Sequence, residues 1–224
     1  MKTFQIYGER CSGTNYVEKL ITENFNLVLI EGTHKHWYVN DYSKLRGDTL
    51  VIVVVRNPYS FLSSLHLQPH HAPLHYGLSF SEFIRKEWVS YDSPDILPLW
   101  FEEDMSIRET IAKPEWIVES EANVCRLRSS KLRNFLELEH HADNFCLLKY
   151  EELLLDRNNI RVLKKWGVTQ RWNEIKPIVT YKGLGYKVYE PTKYDDIAVD
   201  DLQFINDNLD WELENKVGYS PITP

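Results

Sequence analysis

The run Phe4-Gln5-Ile6-Tyr7-Gly8-Glu9-Arg10-Cys11-Ser12-Gly13-Thr14-Asn15-Tyr16 joins a buried-type strand, a tight turn and a helix start. Gly8 and Gly13 keep the GxxxxG spacing of a phosphate-cradling loop. The next two residues are Thr14 and Asn15, where a loop serving a triphosphate and magnesium carries Lys followed by Ser or Thr. The pattern predicts an anion cradle without the equipment for phosphoryl transfer.

Further β-rich runs occur at 27 to 31, 50 to 55 and 145 to 149, separated by segments with helical spacing. That alternation predicts an α/β fold in which a mainly parallel sheet is covered by helices. Residues 67 to 77 carry two prolines and a glycine without clear periodicity and read as a loop, a lid over a ligand site. Residues 119 to 141 read as one long helix, with Val124, Leu127, Leu132, Phe135, Leu136 and Leu138 as its apolar face. Arg126, Arg128, Lys131 and Arg133 fill the other positions, as a solvated face or one that meets an anionic acceptor. No repeat, low-complexity tract or linker divides the chain, so residues 1 to 224 are expected to form one domain.

The chain carries 26 basic and 33 acidic residues, net −7, which disfavours a nonspecific grip on nucleic acid or an anionic membrane. Any anion must be held locally. The apolar run Leu50-Val51-Ile52-Val53-Val54-Val55 is too short to span a bilayer, and no signal-like segment precedes the first strand. Cys11, Cys125 and Cys146 have no metal-like spacing and leave an odd thiol, which suits a reducing compartment. The expectation is a cytoplasmic protein without a membrane span or a disulfide framework. His66, His70, His71 and His75 crowd one segment without a ligand spacing or an accompanying carboxylate, so no metal site is expected.

Within the first loop, Ser12, Thr14 and Asn15 place hydroxyl, amide and backbone donors at a helix N-terminus, where an anion also meets the helix dipole. The second constellation is Val55-Arg56-Asn57-Pro58, an arginine leaving a buried strand at its carboxyl end, where α/β sheets bind ligands. Arg56 offers a forked donor, and Ser64, about two helical turns on, a hydroxyl. A third follows the second strand: His34-Lys35-His36. His36 suits a general base and Lys35 can stabilise charge on a leaving group; His34 is the rival base, since strand alternation points both histidines the same way.

Taken together, these segments resemble the sulfotransferase superfamily, whose donor is 3'-phosphoadenosine 5'-phosphosulfate (PAPS). Ser12-Gly13-Thr14 looks like the family's loop for the 5'-phosphosulfate, and Arg56-Asn57-Pro58 with Ser64 like its 3'-phosphate site. Leu147-Leu148-Lys149-Tyr150-Glu151-Glu152-Leu153-Leu154 is similar to its YEDL segment, whose Tyr lies beside the adenosine. Leu209-Asp210-Trp211-Glu212-Leu213-Glu214 with Gly218-Tyr219-Ser220-Pro221 looks like its C-terminal helix and tail. The resemblance implies a three-layer, P-loop NTPase-like fold and a donor site of Arg10, Cys11, Ser12, Gly13, Thr14, Asn15, Arg56, Ser64 and Tyr150. Lys182, in a segment that partly resembles the family's Arg-Lys-Gly loop, is either a further contact or a solvated lysine.

The chain departs from the family where many members have Lys or Arg just before Ser-Gly-Thr: Cys11 stands there, with Arg10 one place earlier. Arg10 is then expected to supply the cation beside the leaving group. The implied activity is sulfuryl transfer, without a metal, from PAPS to a hydroxyl or amine of a small-molecule or carbohydrate acceptor, leaving 3'-phosphoadenosine 5'-phosphate (PAP). The rivals are a noncatalytic nucleotide-binding protein on the same scaffold and a P-loop kinase, the latter lacking its lysine at Thr14.

Overall fold

A computed structural model describes residues 1–30, 34–43, 45, 47–92, 112–178 and 196–223. In chain order the elements are β1 (Thr3–Tyr7), α1 (Thr14–Asn24), β2 (Val28–Leu29), β3 (Thr49–Val55), α2 (Pro58–Leu67), α3 (Phe80–Arg85), β4 (Trp88–Tyr91), β5 (Ile117–Glu121), α4 (Val124–His141), β6 (Phe145–Lys149), α5 (Tyr150–Leu155), α6 (Val199–Asn208) and α7 (Trp211–Lys216). Short 3-10 segments occupy Pro73–His75, Pro114–Trp116 and Arg157–Trp166. Two compact units emerge: Met1–Asn57 with Lys131–Lys193, and Pro58–Ser130 with Tyr194–Pro224. The residues of α4 are divided between them after Ser130.

The first unit is α/β, with a four-stranded parallel sheet in the order β2-β1-β3-β6 flanked by helices. β3 lies between β1 and β6, with Ile52 opposite Ile6 and Cys146. All seven residues of β3 are buried, so both faces of the sheet are covered, as a parallel sheet requires. On one face Phe4, Ile6, Leu50, Ile52, Val54, Cys146 and Leu148 pack with Val17, Leu20 and Ile21 of α1 and with Ile160 and Leu163. Among the described residues of the expected run at 27 to 31, Val28–Leu29 form the strand, which pairs at the sheet edge with Val28 65% exposed.

The second unit holds the antiparallel pair β4-β5, with Ser90 opposite Glu119. Residues 119 to 121 belong to that pair and not to the long helix. The helix starts at Val124, because Asn123 Oδ1 accepts from the Cys125 and Arg126 N–H groups as an N-cap would. A second correction concerns the basic face of α4. Arg126 and Arg133 are exposed, but Arg128 and Lys131 are buried. With Val124, Leu127, Phe135 and Leu138 they fall at i, i+3, i+4, i+7, i+11 and i+14, the stripe that faces a core. Arg128 forms a two-point ion pair with Glu214 of α7, Nε to Oε1 at 2.6 Å and Nη2 to Oε2 at 2.9 Å, beneath the Phe61 ring.

Residues 67 to 77 are built into this unit. His66 Nε2 donates to Leu78 O at 2.8 Å and His71 Nδ1 to Tyr91 O at 2.9 Å. His75 is 1% exposed, packed against Phe83 and Trp88, with neither ring nitrogen in a hydrogen bond. Burial, aided by Lys86, pushes its pKa down to about 4. The unfolded chain therefore binds a proton near pH 6.5 that the folded chain refuses until about pH 4. Stability should fall as pH drops through that window, by on the order of 3 kcal/mol, and level off below it. Urea unfolding at pH 7.5, 5.5 and 4 checks this; His75→Phe should flatten the acid limb, and an unchanged limb would refute the assignment.

The buried thiols Cys125 and Cys146 are each pushed up to about 12 by desolvation and stay protonated. No helix of the described residues is long and apolar enough to cross a membrane.

Candidate functional site

The carboxyl ends of β1, β3 and β6 bring the first-unit candidates together. β1 runs into Gly8, whose N–H donates to Lys35 O at 3.0 Å and whose carbonyl accepts from His36 Nδ1 at 2.7 Å. The loop start is thus pinned by the 35–36 segment. Ser12, 1% exposed, closes the turn by donating its N–H (3.2 Å) and its Oγ (2.6 Å) to the Glu9 carbonyl. Cys11 (φ 62°) and Gly13 (φ 90°) both take left-handed backbone conformations, the kind used in tight anion-cradling turns.

Gly13 leads into α1, and no side chain caps that N-terminus. An uncapped helix start leaves donors and the positive dipole end facing whatever lies before it. Gly13 is required twice over: its φ suits glycine, and a Cβ there would lie 2.2 Å from the Tyr150 ring. Gly8 is equally confined, a Cβ meeting Val54 O at 2.5 Å.

Arg56, at the end of β3, donates from Nη1 to the Cys11 carbonyl at 2.8 Å, its guanidinium 5.1 Å from the Tyr150 ring centroid. Tyr150, at the end of β6, is 4% exposed and meets Tyr16 of α1 edge to face. Lys35 is held by α1: its ammonium donates to Asn15 Oδ1 at 2.7 Å and pairs with Glu18 at 2.9 Å. Arg10 rests on Trp37, 4.8 Å from the ring centroid.

His36 does not alternate with His34 along a strand. The two sit in a turn closed by Trp37 N–H to His34 O at 3.0 Å, with His34 exposed. Because the Gly8 carbonyl can only accept, His36 carries its hydrogen on Nδ1 and its lone pair on Nε2. Desolvation, and then the charges of Arg10, Lys35 and Lys131, hold its pKa well below the usual histidine value against the opposing Gly8 bond. A neutral imidazole with its Nε2 lone pair unprotonated is the form a proton acceptor needs.

Arg10, Cys11, Ser12, Gly13, Thr14, Asn15, Lys35, His36, Arg56 and Tyr150 thus belong to one unit. Ser64 belongs to α2 of the other, at intermediate exposure. Lys182 lies outside the described residues, as do Glu31, Gly32 and Thr33. Sequence reasoning missed Lys131 and Trp37: Lys131 Nζ donates to the His36 carbonyl at 2.8 Å, and the Trp37 ring carries both Lys131 and Arg10. The signal for Lys131 was its place on the apolar stripe of α4. Among the described residues no group of three His, Cys, Asp or Glu side chains is arranged to hold a metal. Comparison with protein-family models, with curated proteins and with solved structures finds no match to the chain.

Proposed function

We propose that the chain is a PAPS-dependent sulfotransferase with a three-layer, P-loop NTPase-like fold, acting on a hydroxyl or amine of a small-molecule or carbohydrate acceptor. The observation that carries the reading is the uncapped α1 N-terminus, entered through left-handed Cys11 and Gly13, with Arg56 on the loop carbonyl and neutral His36 on the Gly8 carbonyl. It offers a dianion backbone donors, a helix dipole and a guanidinium, with a base alongside.

In this reading Ser12, Gly13, Thr14 and Asn15 hold the phosphosulfate end of the donor, and Arg56 the 3'-phosphate. Tyr150 flanks the adenosine. The acceptor oxygen or nitrogen gives its proton to His36 Nε2 and forms the new bond to sulfur. The bond from sulfur to the bridging phosphate oxygen breaks, and its electron pair leaves with PAP. Arg10 and Lys35 balance the negative charge that gathers there. Positioning and electrostatics supply the acceleration.

A second reading, a noncatalytic nucleotide-binding protein, draws support from the two engaged cations: Lys35 is paired with Glu18, and Arg10 rests on Trp37. Thermal unfolding with PAP, compared with ATP plus magnesium, tests the donor assignment. At a hundred times its dissociation constant PAP should add about 2.7 kcal/mol. Equal shifts, or a larger one with ATP, would sink it. Arg56→Ala should weaken PAP about tenfold to a hundredfold, the loss of a charge-assisted bond, and erase the preference for PAP over adenosine 5'-phosphate. Transfer of labelled sulfate from PAPS to a panel of phenols, sugars and amines separates enzyme from binder.

A further inference from the structure

His36 is anchored from two directions, and only one of them is the loop. On the other side α4 presents Lys131 and Asn134, three residues apart and therefore on one flank of the helix. Lys131, 3% exposed, donates to the His36 carbonyl at 2.8 Å, and its ammonium lies 5.3 Å from the Trp37 ring centroid and 5.8 Å from that of Tyr38. Asn134 engages both polar groups of one residue: Oδ1 accepts from Val39 N–H at 2.8 Å, and Nδ2 donates to Val39 O at 3.1 Å. Further along α4, His141 stacks on Tyr42 with centroids 3.9 Å apart and planes 7° from parallel.

His36 and Val39 are thus fastened to α4 at their backbone and Tyr42 by its ring, while the His36 ring is left to meet Gly8. A buried ammonium costs several kcal/mol of desolvation, and a methionine would fill the same length without that cost. What the lysine adds is a strong donor aimed at one carbonyl, between two aromatic faces.

We propose that Lys131 and Asn134 are positioning residues that hold His36, through its backbone and that of Val39, with Nδ1 on the Gly8 carbonyl and Nε2 toward the reacting atoms. The proposal deepens the reading above and rests on His36 as the base. The charge of Lys131 works in the same direction, since it opposes protonation of His36.

The test pairs Lys131→Met with Asn134→Ala. Long-range nitrogen NMR on the imidazole reports the His36 tautomer and its pKa whether or not any sulfuryl transfer occurs, which separates failure of this proposal from failure of the functional reading. In both variants the single Nδ1–H tautomer should give way to a mixture, and in Lys131→Met the pKa should rise slightly, desolvation and Arg10 being the larger causes that hold it down. With PAPS and an accepted substrate, single-turnover transfer should slow about a hundredfold, as for a base displaced by about an ångström. Affinity for PAP should change less than about threefold. An unchanged His36 spectrum in both variants overturns the proposal, as does a PAP affinity that falls in parallel with the rate. Should Lys131→Met fail to fold, Asn134→Ala alone decides on the same criteria.

Discussion

Under the proposed sulfotransferase function, His36→Asn is expected to retain PAP-induced stabilisation and to lose sulfuryl transfer by a factor of about 10³, within the range seen when a general base is removed. Asparagine is the informative replacement because its amide can still donate to the Gly8 carbonyl, the bond that pins the loop at 2.7 Å in the parent. Alanine removes that bond together with the base and would confound the two roles. The parent should also show an unusual pH profile. Its imidazole is held neutral by desolvation and by three nearby cations, so the base form persists as pH falls through 6.5, and activity should decline only further into acid. An Asn variant with parental turnover, or a parental profile that breaks near pH 6.5, would remove His36 from the mechanism.

Glu214→Ala should destabilise the second unit by about 3 to 5 kcal/mol, the usual cost of stranding a buried charge. Both side chains of the pair are 1% exposed, and the guanidinium is engaged by two carboxylate bonds and by the Phe61 ring. Removing one partner leaves the other without its counter-charge in a place water does not reach. For a chain of this size a loss of that order lowers the melting temperature by roughly 10 °C. The double variant Arg128→Met, Glu214→Leu should recover most of it, because a buried ion pair can be exchanged for apolar groups of similar volume at small net cost. Calorimetry on Glu214→Ala and on the double variant decides. A Glu214→Ala protein within about 1 kcal/mol of the parent would show that the pair is solvated in solution.

Where one physical signal dominates, the sequence was a sound guide. β3 is a continuous β-branched run buried on every residue, and β1 and β6 lie beside it, so all three fall within a residue of expectation. Gly8 and Gly13 were legible for a related reason, since both must accept a close approach that a side chain forbids. β2, β4 and β5 read poorly because short edge strands and two-stranded pairs are decided by neighbours far away in sequence. Arg128 and Lys131 were misread because their charge was weighed and their spacing was not. Their helical position already placed them on the covered side, where a cation needs Glu214 or the His36 carbonyl to answer it. Trp37 carried no local signal; its role comes from residues 27 before it and 94 after it, Arg10 and Lys131.

The bond from Arg56 to the Cys11 carbonyl ties the loop between β1 and α1 to the residue that follows β3. On the proposed function, a dianion docks against a loop that one of the protein's own side chains already braces. The ordering entropy of the loop is already spent in folding, and the encounter resembles docking onto a finished surface more than the closing of a hand. Under the proposed function, capture should then be governed by diffusion and by the local field of Arg10 and Arg56, and selectivity among phosphates by how quickly each departs.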